Sequence, residues 1–207
     1  HRSRITIFFS LLSLFTCFAF HNPIIWSDVP DIDMIRVEDT YYMVSTTMFF
    51  CPGAPIMKSK DLGSWEICSY AYVTLADDNK HNLKGDHDYS RGSWAASIRH
   101  KDGTFYVFFT SLGTGKSYVC KTNNIEGGKW TTNVINGVYH DASILFDDNG
   151  KNYLVYGSGT INIKELNHEL TDFVAGERKL FATGLSGLAG EGSHILKING
   201  YYYIFII

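Results

Sequence analysis

The 207-residue sequence predicts an all-β protein built as a β-propeller, and two observations favour this fold. Aromatic residues make up 15% of the chain and lie mainly in strand-like runs, while 19 glycines allow frequent turns. A hairpin pattern also recurs about every fifty residues, which is the repeat length of propeller blades. A β-sandwich shares the short strands and turns, but it does not require such a repeat and is the less favoured alternative.

Four segments carry the repeat, and each consists of an apolar strand, a polar turn and an aromatic-rich strand. Their aromatic strands contain Tyr42, Tyr106, Tyr153 and Tyr202, which are 64, 47 and 49 residues apart. Three of the turns contain Asp-Gly or Asn-Gly, the strongest short-range signal for a β-hairpin. The segments between the hairpins are expected to supply the outer strands. The sequence thus has room for about three and a half blades, and we expect the natural chain to continue past Ile207.

The first twenty residues differ from the rest of the sequence. A basic stretch at residues 1–4 precedes an almost wholly apolar, uncharged stretch that runs to Phe20. This pattern predicts a secretory signal peptide over residues 1–19, followed by an incomplete propeller catalytic domain over residues 20–207. A buried strand or a membrane helix is the alternative, although the apolar run is short for a membrane span. We expect a secreted, extracellular protein with no membrane partner once the signal is removed.

Charge and cysteine content exclude other classes of function. The net charge is −3 and no basic stripe is present, so nucleic acid is not an expected partner. No cysteine pair has metal-ligand spacing, and we expect no metal in the catalytic site. Cys17 lies in the predicted signal, so at most one disulfide forms among the remaining three cysteines. The sequence offers Cys51 with Cys68 only as a guess.

Three acidic residues occupy one position of the repeat, directly before the first strand of a hairpin. Asp31, Asp141 and Glu191 lie eleven or twelve residues before their hairpin tyrosines, and Trp94 and Ala95 hold this place in the second unit. The innermost strands of a propeller begin around one mouth of the central channel, so these side chains are expected to converge. Glycoside hydrolysis needs a carboxylic acid and a carboxylate, and a third carboxylate raises the pKa of the acid. Alternatively, each acid caps a turn or binds backbone amides.

Aromatic residues near the expected mouth are candidates for substrate binding. Trp94 has a face on which a sugar ring can stack, although a place in the core is about as well supported. Phe49 and Phe50 end the first hairpin and are candidates to line the mouth, with core packing as the alternative. His140 is expected either to form a hydrogen bond in the pocket or to pack against it.

Two residues beside the acids complete the set of candidates. Asp33 lies two residues after Asp31, and strand alternation places both side chains on one face. Asp33 is therefore the fallback for the catalytic base. His194, close after Glu191, is expected to be structural.

The sequence resembles glycoside hydrolase family 43, specifically its β-xylosidase and α-L-arabinofuranosidase-like members. The resemblance rests on the strings NPIIWSDVPDIDMIRVEDTYYMVSTT, PIMKSKDLGSWEI, GSWAASIR, YHDASILFDDNGKNYLVYG and EGSHILKINGYYYIF, in this order from about Asn22 to Ile207. It implies a five-bladed propeller that hydrolyses glycosidic bonds with inversion. It also implies that Asp31 is the general base, that Glu191 is the general acid, and that Asp141 modulates the pKa of the acid and orients the sugar.

Several positions depart from the family pattern. Ile32 and Ala142 stand where many members have Pro, and Phe49 stands where similar members often have His. The fifth blade, which commonly supplies a central His linked to a channel Ca²⁺, is absent from this sequence, as is the β-sandwich appended in many xylosidases. We therefore expect the 207-residue chain to be inactive alone. No cofactor is required for the chemistry, and a structural Ca²⁺ belongs, where present, to the complete propeller.

The leading interpretation is an exo-acting hydrolase that releases xylose or arabinofuranose from hemicellulose-derived oligosaccharides such as those of xylan and arabinoxylan. Xylosidase is slightly preferred over arabinofuranosidase. A catalytically inactive propeller that only binds glycan is the alternative from another class, and a propeller that binds proteins is a weaker third.

Overall fold

The structure is a computed structural model that describes residues 21–49, 51–127, 129–184 and 190–207. The predicted signal peptide over residues 1–19 and Phe50 lie outside these ranges. Within them the chain forms fourteen β-strands and no helix, and hence no helix able to cross a membrane.

The strands form four antiparallel sheets, and consecutive strands pair within each sheet. The first sheet contains β1 (Asp33–Val37), β2 (Thr40–Val44), β3 (Gly53–Ser59) and β4 (Glu66–Tyr72). The second contains β5 (Ser97–Lys101), β6 (Thr104–Ser111), β7 (Lys116–Thr122) and β8 (Thr131–Asn136). The third contains β9 (Ser143–Phe146), β10 (Asn152–Tyr156), β11 (Thr160–Leu166) and β12 (Arg178–Ala182). The fourth is a hairpin of β13 (His194–Ile198) and β14 (Tyr201–Phe205). Three four-stranded blades and half of a fourth confirm the predicted propeller architecture of this chain.

The four predicted hairpins form at the predicted turns. Val37 pairs with Thr40, Lys101 with Thr104 and Ile198 with Tyr201, so each of these hairpins closes with a two-residue turn. In the second and fourth hairpins both turn residues have positive φ, 49° and 75° at Asp102-Gly103 and 51° and 81° at Asn199-Gly200. Such turns match the right-handed twist of the flanking strands, which explains the preference for Asp-Gly and Asn-Gly.

The core lies between neighbouring blades, and β6 shows how the sequence builds it. Phe105, Val107 and Phe109 of this strand pack towards the first blade, whereas Phe108 packs towards the third. Successive side chains of a strand point to opposite faces, so a central blade with two buried faces needs apolar residues at consecutive positions. This requirement accounts for the aromatic run FYVFF in the second hairpin.

The suggested Cys51–Cys68 disulfide is wrong, because all three described cysteines are free. Gly53 pairs with Tyr72 at the end of the first blade where Cys51 lies, whereas Cys68 is four residues back along β4. Four residues of strand span roughly 13 Å, about twice the Cα separation that a disulfide allows.

Candidate active site

The three predicted acids lie directly before the innermost strands of three blades. Asp31 precedes β1, Asp141 precedes β9 and Glu191 precedes β13. These strands are neighbours around the centre of the molecule, where β1 contacts β5, β5 contacts β9 and β9 contacts β13. Carboxylates that are far apart in the sequence are thereby brought to one end of the channel.

An unusual backbone conformation positions these carboxylates. Asp31 and Asp141 have φ values of 50° and 48°, in the left-handed region that residues with a side chain seldom adopt. Glu191 lies between Gly190 and Gly192, whose φ values are 82° and 73°. Such conformations cost of order 1 kcal/mol each and persist where the surrounding structure holds them. Each acid therefore lies outside the alternating side-chain pattern of the strand that follows it.

Asp31 is the most solvent-accessible of the three acids, and the end of β2 holds it. The hydroxyl of the buried Thr46 donates a 2.8 Å hydrogen bond to Asp31 Oδ2. The backbone N–H of Thr46 and the hydroxyl of Ser45 both donate to the carbonyl of Pro30, at 3.1 and 2.9 Å. One carboxylate oxygen of Asp31 is thus fixed by the protein while the residue remains exposed to solvent.

Asp141, Glu191 and His140 form a compact cluster. One carboxylate oxygen of each acid and one ring nitrogen of the histidine lie within 4.8 Å of one another. His140 Nε2 lies 2.8 Å from Glu191 Oε2, and the backbone N–H of Gly192 donates to Asp141 Oδ2 at 3.1 Å. Burial raises the pKa of Asp141, and the charges of Glu191 and Asp31 act in the same direction, against the opposing effect of His140. Asp31 therefore lies near enough to the cluster for its charge to act on Asp141.

The aromatic candidates divide between two places. The Trp94 ring lies edge-on to His140, with 6.1 Å between ring centroids, and its indole N–H donates to the carbonyl of Ser90. Trp94 thus borders the acid cluster, as predicted. Phe49 instead contacts Tyr89 and His87, at centroid distances of 5.6 and 6.0 Å. Sequence reasoning missed Tyr89 and His87, since they lie in a loop without a repeat signal.

Asp33, the fallback for the base that was expected to share a face with Asp31, is held by contacts with three residues. Its Oδ2 accepts a 2.6 Å hydrogen bond from Arg99 and a 2.8 Å bond from the backbone N–H of Ile98, while His194 Nδ1 lies 3.3 Å from Oδ1. Burial raises the pKa of Asp33, but the contact with His194 and the charge of Arg99 outweigh it, so the pKa is lowered. The left-handed backbone at Asp31 breaks the strand alternation on which the expectation depended. His194 contacts Asp33 and so belongs to the group of residues around this buried carboxylate.

Residues 20–206 match the family model described as glycosyl hydrolases family 43. The chain belongs to this family. Among solved structures, a bifunctional family 43 protein of Bacteroides eggerthii is 42% identical, with a TM-score of 0.84 over 90% of this chain and 25% of that one.

Curated relatives in family 43 have two kinds of activity in their names. A non-reducing end alpha-L-arabinofuranosidase of Bacteroides ovatus is 37% identical over 90% of this chain and 35% of its own length. A beta-xylosidase of Formosa agariphila is 30% identical over 89% of this chain and 33% of its own length. The chain thus spans about a third of the length of these two relatives.

Ca²⁺ is the one ion that the family resemblance suggests, and the described channel strands do not fit it at their centre. Ca²⁺ prefers six to eight oxygen ligands. The oxygens that point into the channel from Asp33, Ile144 and Ile195 already accept hydrogen bonds from the Arg99 guanidinium. A cationic side chain therefore takes the oxygen atoms that a cation would need.

Proposed function

We propose that this chain supplies the catalytic acids of a family 43 hydrolase that releases arabinofuranose or xylose from hemicellulose-derived oligosaccharides with inversion. The observation that carries the proposal is the placement of Asp31, Asp141 and Glu191 directly before the innermost strands of three blades around one channel. An inverting glycosidase needs one carboxylic acid and one carboxylate on opposite sides of the bond to be cleaved.

The surroundings of each acid support a division of roles. Asp31 is exposed, and Thr46 fixes one of its oxygens, so the other can accept a proton from water attacking the sugar. Glu191 is buried, with 9% of its surface exposed, and its Oε2 contacts His140. A buried carboxyl that contacts a histidine suits a group that delivers a proton to the glycosidic oxygen.

Asp141 acts on the other two acids and on the sugar. Its main-chain carbonyl accepts a hydrogen bond from Ser193, and its carboxylate accepts one from Gly192, so it is tied to the two residues that follow Glu191. These bonds hold the carboxylate of Asp141 beside Glu191, where it can also contact the bound sugar.

The identity of the released sugar is proposed from the names of the curated relatives. The names of the two curated relatives include an arabinofuranosidase and a beta-xylosidase, and the arabinofuranosidase has the higher identity. We propose a furanose or pyranose pentose at the non-reducing end as the group released. Trp94 beside His140 offers an aromatic face for its C–H groups.

The decisive experiment compares two variants of the full-length gene product on aryl pentosides with good and poor leaving groups. Glu191→Gln is expected to lose about 10²–10⁴-fold in kcat on a phenyl glycoside and far less on a dinitrophenyl glycoside, which needs no proton to leave. Asp31→Asn is expected to lose activity on both substrates, because the attacking water still requires its base.

Two exposed positions provide matched controls. Glu169→Gln and Asp102→Asn make the same chemical changes at exposed positions outside the cluster and should retain wild-type kcat. Equal losses for Glu191→Gln on both substrates would contradict the acid role. Binding of pentose oligosaccharides without any turnover would replace the proposal with the glycan-binding alternative.

A further inference from the structure

The side chain of Arg99 connects all four described blades. Its Nη1 donates at 2.6 Å to both Asp33 Oδ2 of the first blade and the carbonyl of Ile98 in its own blade. Its Nε donates at 3.0 Å to the carbonyl of Ile144 in the third blade, and its Nη2 donates at 3.3 Å to the carbonyl of Ile195 in the fourth. Arg99 is buried, with 8% of its surface exposed.

The contacts of Arg99 fall within four residues after each of the three acids. Asp33 lies two residues after the proposed base, Ile144 three residues after the modulating acid, and Ile195 four residues after the proposed general acid. A single guanidinium is therefore attached to each strand that carries a catalytic carboxylate. A shift of any of these strands along the channel would lengthen one of its hydrogen bonds.

The chemistry of arginine suits this place better than that of lysine. The guanidinium is planar and holds its five N–H donors in fixed directions, whereas lysine carries one compact ammonium on a flexible stem. Arg99 uses its donors on four acceptors that lie in four blades. The Asp33 carboxylate balances its charge, and this carboxylate also accepts from the backbone of Ile98.

We propose that Arg99 is a positioning residue that sets the spacing of the catalytic carboxylates by clamping the strands that carry them. This inference rests on the proposed function, since spacing matters only if the acids act together on a glycosidic bond. Inversion needs a water molecule to fit between sugar and base, and a displacement of about 1 Å in such a site costs about 10²-fold in rate.

The test measures kcat and KM of Arg99→Lys in the full-length gene product on an aryl pentoside. Arg99→Lys keeps the charge and the pairing with Asp33 but cannot span the carbonyls of two other blades. We expect kcat to fall about 10²-fold with KM nearly unchanged. Asp33→Asn should lower kcat in the same way, and the double variant should lose less than the sum of the two single losses, because both act through one contact.

A matched variant separates positioning from general destabilisation. Val119→Ala removes two methyl groups from the fully buried core of the second blade, away from the channel. It should lower the melting temperature while kcat stays at the wild-type value below the unfolding transition. A kcat loss in Arg99→Lys no larger than in Val119→Ala would overturn the positioning role and leave the proposed function standing. Absence of turnover in the unmodified protein would overturn both.

Discussion

Removing the hydrogen bond between Thr46 and Asp31 tests how the proposed base is held. Thr46→Val replaces the hydroxyl with a methyl group of similar size, and the residue is buried, with 6% of its surface exposed. The 2.8 Å bond to a carboxylate is therefore removed while the packing is kept. A hydrogen bond to a charged group is worth about 1.5–3 kcal/mol, which corresponds to about 10–150-fold in rate.

This loss should appear in kcat, because Asp31 acts on water in the transition state, and KM should change little. The assay is steady-state hydrolysis of a dinitrophenyl pentoside, on which departure of the leaving group does not depend on Glu191. Thr46→Ser, which keeps the hydroxyl, should recover most of the activity. An unchanged kcat in Thr46→Val would refute the view that this bond orients the base.

Three further predictions concern charge, the acid's partner and the amino terminus. The pKa of Asp33 is lowered from its ordinary value of 3.8, so its stabilising contribution is present above that value and is lost as the pH falls through the lowered pKa. Urea unfolding at decreasing pH should show this loss in the wild type and a flatter dependence in Asp33→Asn. His140→Phe removes the 2.8 Å contact with Glu191 and should lower kcat about tenfold, whereas His140→Gln, which keeps an N–H donor, should lose less. The exported protein should begin near Phe20 by amino-terminal sequencing, and retention of residues 1–19 would contradict the signal peptide.

The repeat made the fold predictable from the sequence. Hairpins are local, so the Asp-Gly and Asn-Gly turns and the aromatic strands after them could be placed without tertiary information. The acids followed from the same repeat, because equivalent positions in successive blades meet at one mouth. Trp94 was placed beside them by the same reasoning.

The missed features depend on contacts between distant blades or on a local reversal of the backbone. Arg99 lies in an ordinary strand, and nothing nearby in the sequence shows that its donors reach carbonyls 45 and 96 residues away. The backbone conformation of Asp31 could not be foreseen, because its left-handed φ cannot be read from strand alternation. Thr46 follows the end of β2, with no signal in the sequence beyond its place after a hairpin.

Asp31 and Glu191 are proposed as the base and the acid of an inverting hydrolase. The most direct measurement follows the anomeric proton of the released pentose by NMR during the first minutes of hydrolysis by the full-length gene product. We expect the first-formed sugar to have the opposite anomeric configuration to the substrate, with the starting configuration appearing only later by mutarotation. Release of a sugar that first retains the substrate configuration would contradict it, because one carboxylate would then be attacking the sugar directly.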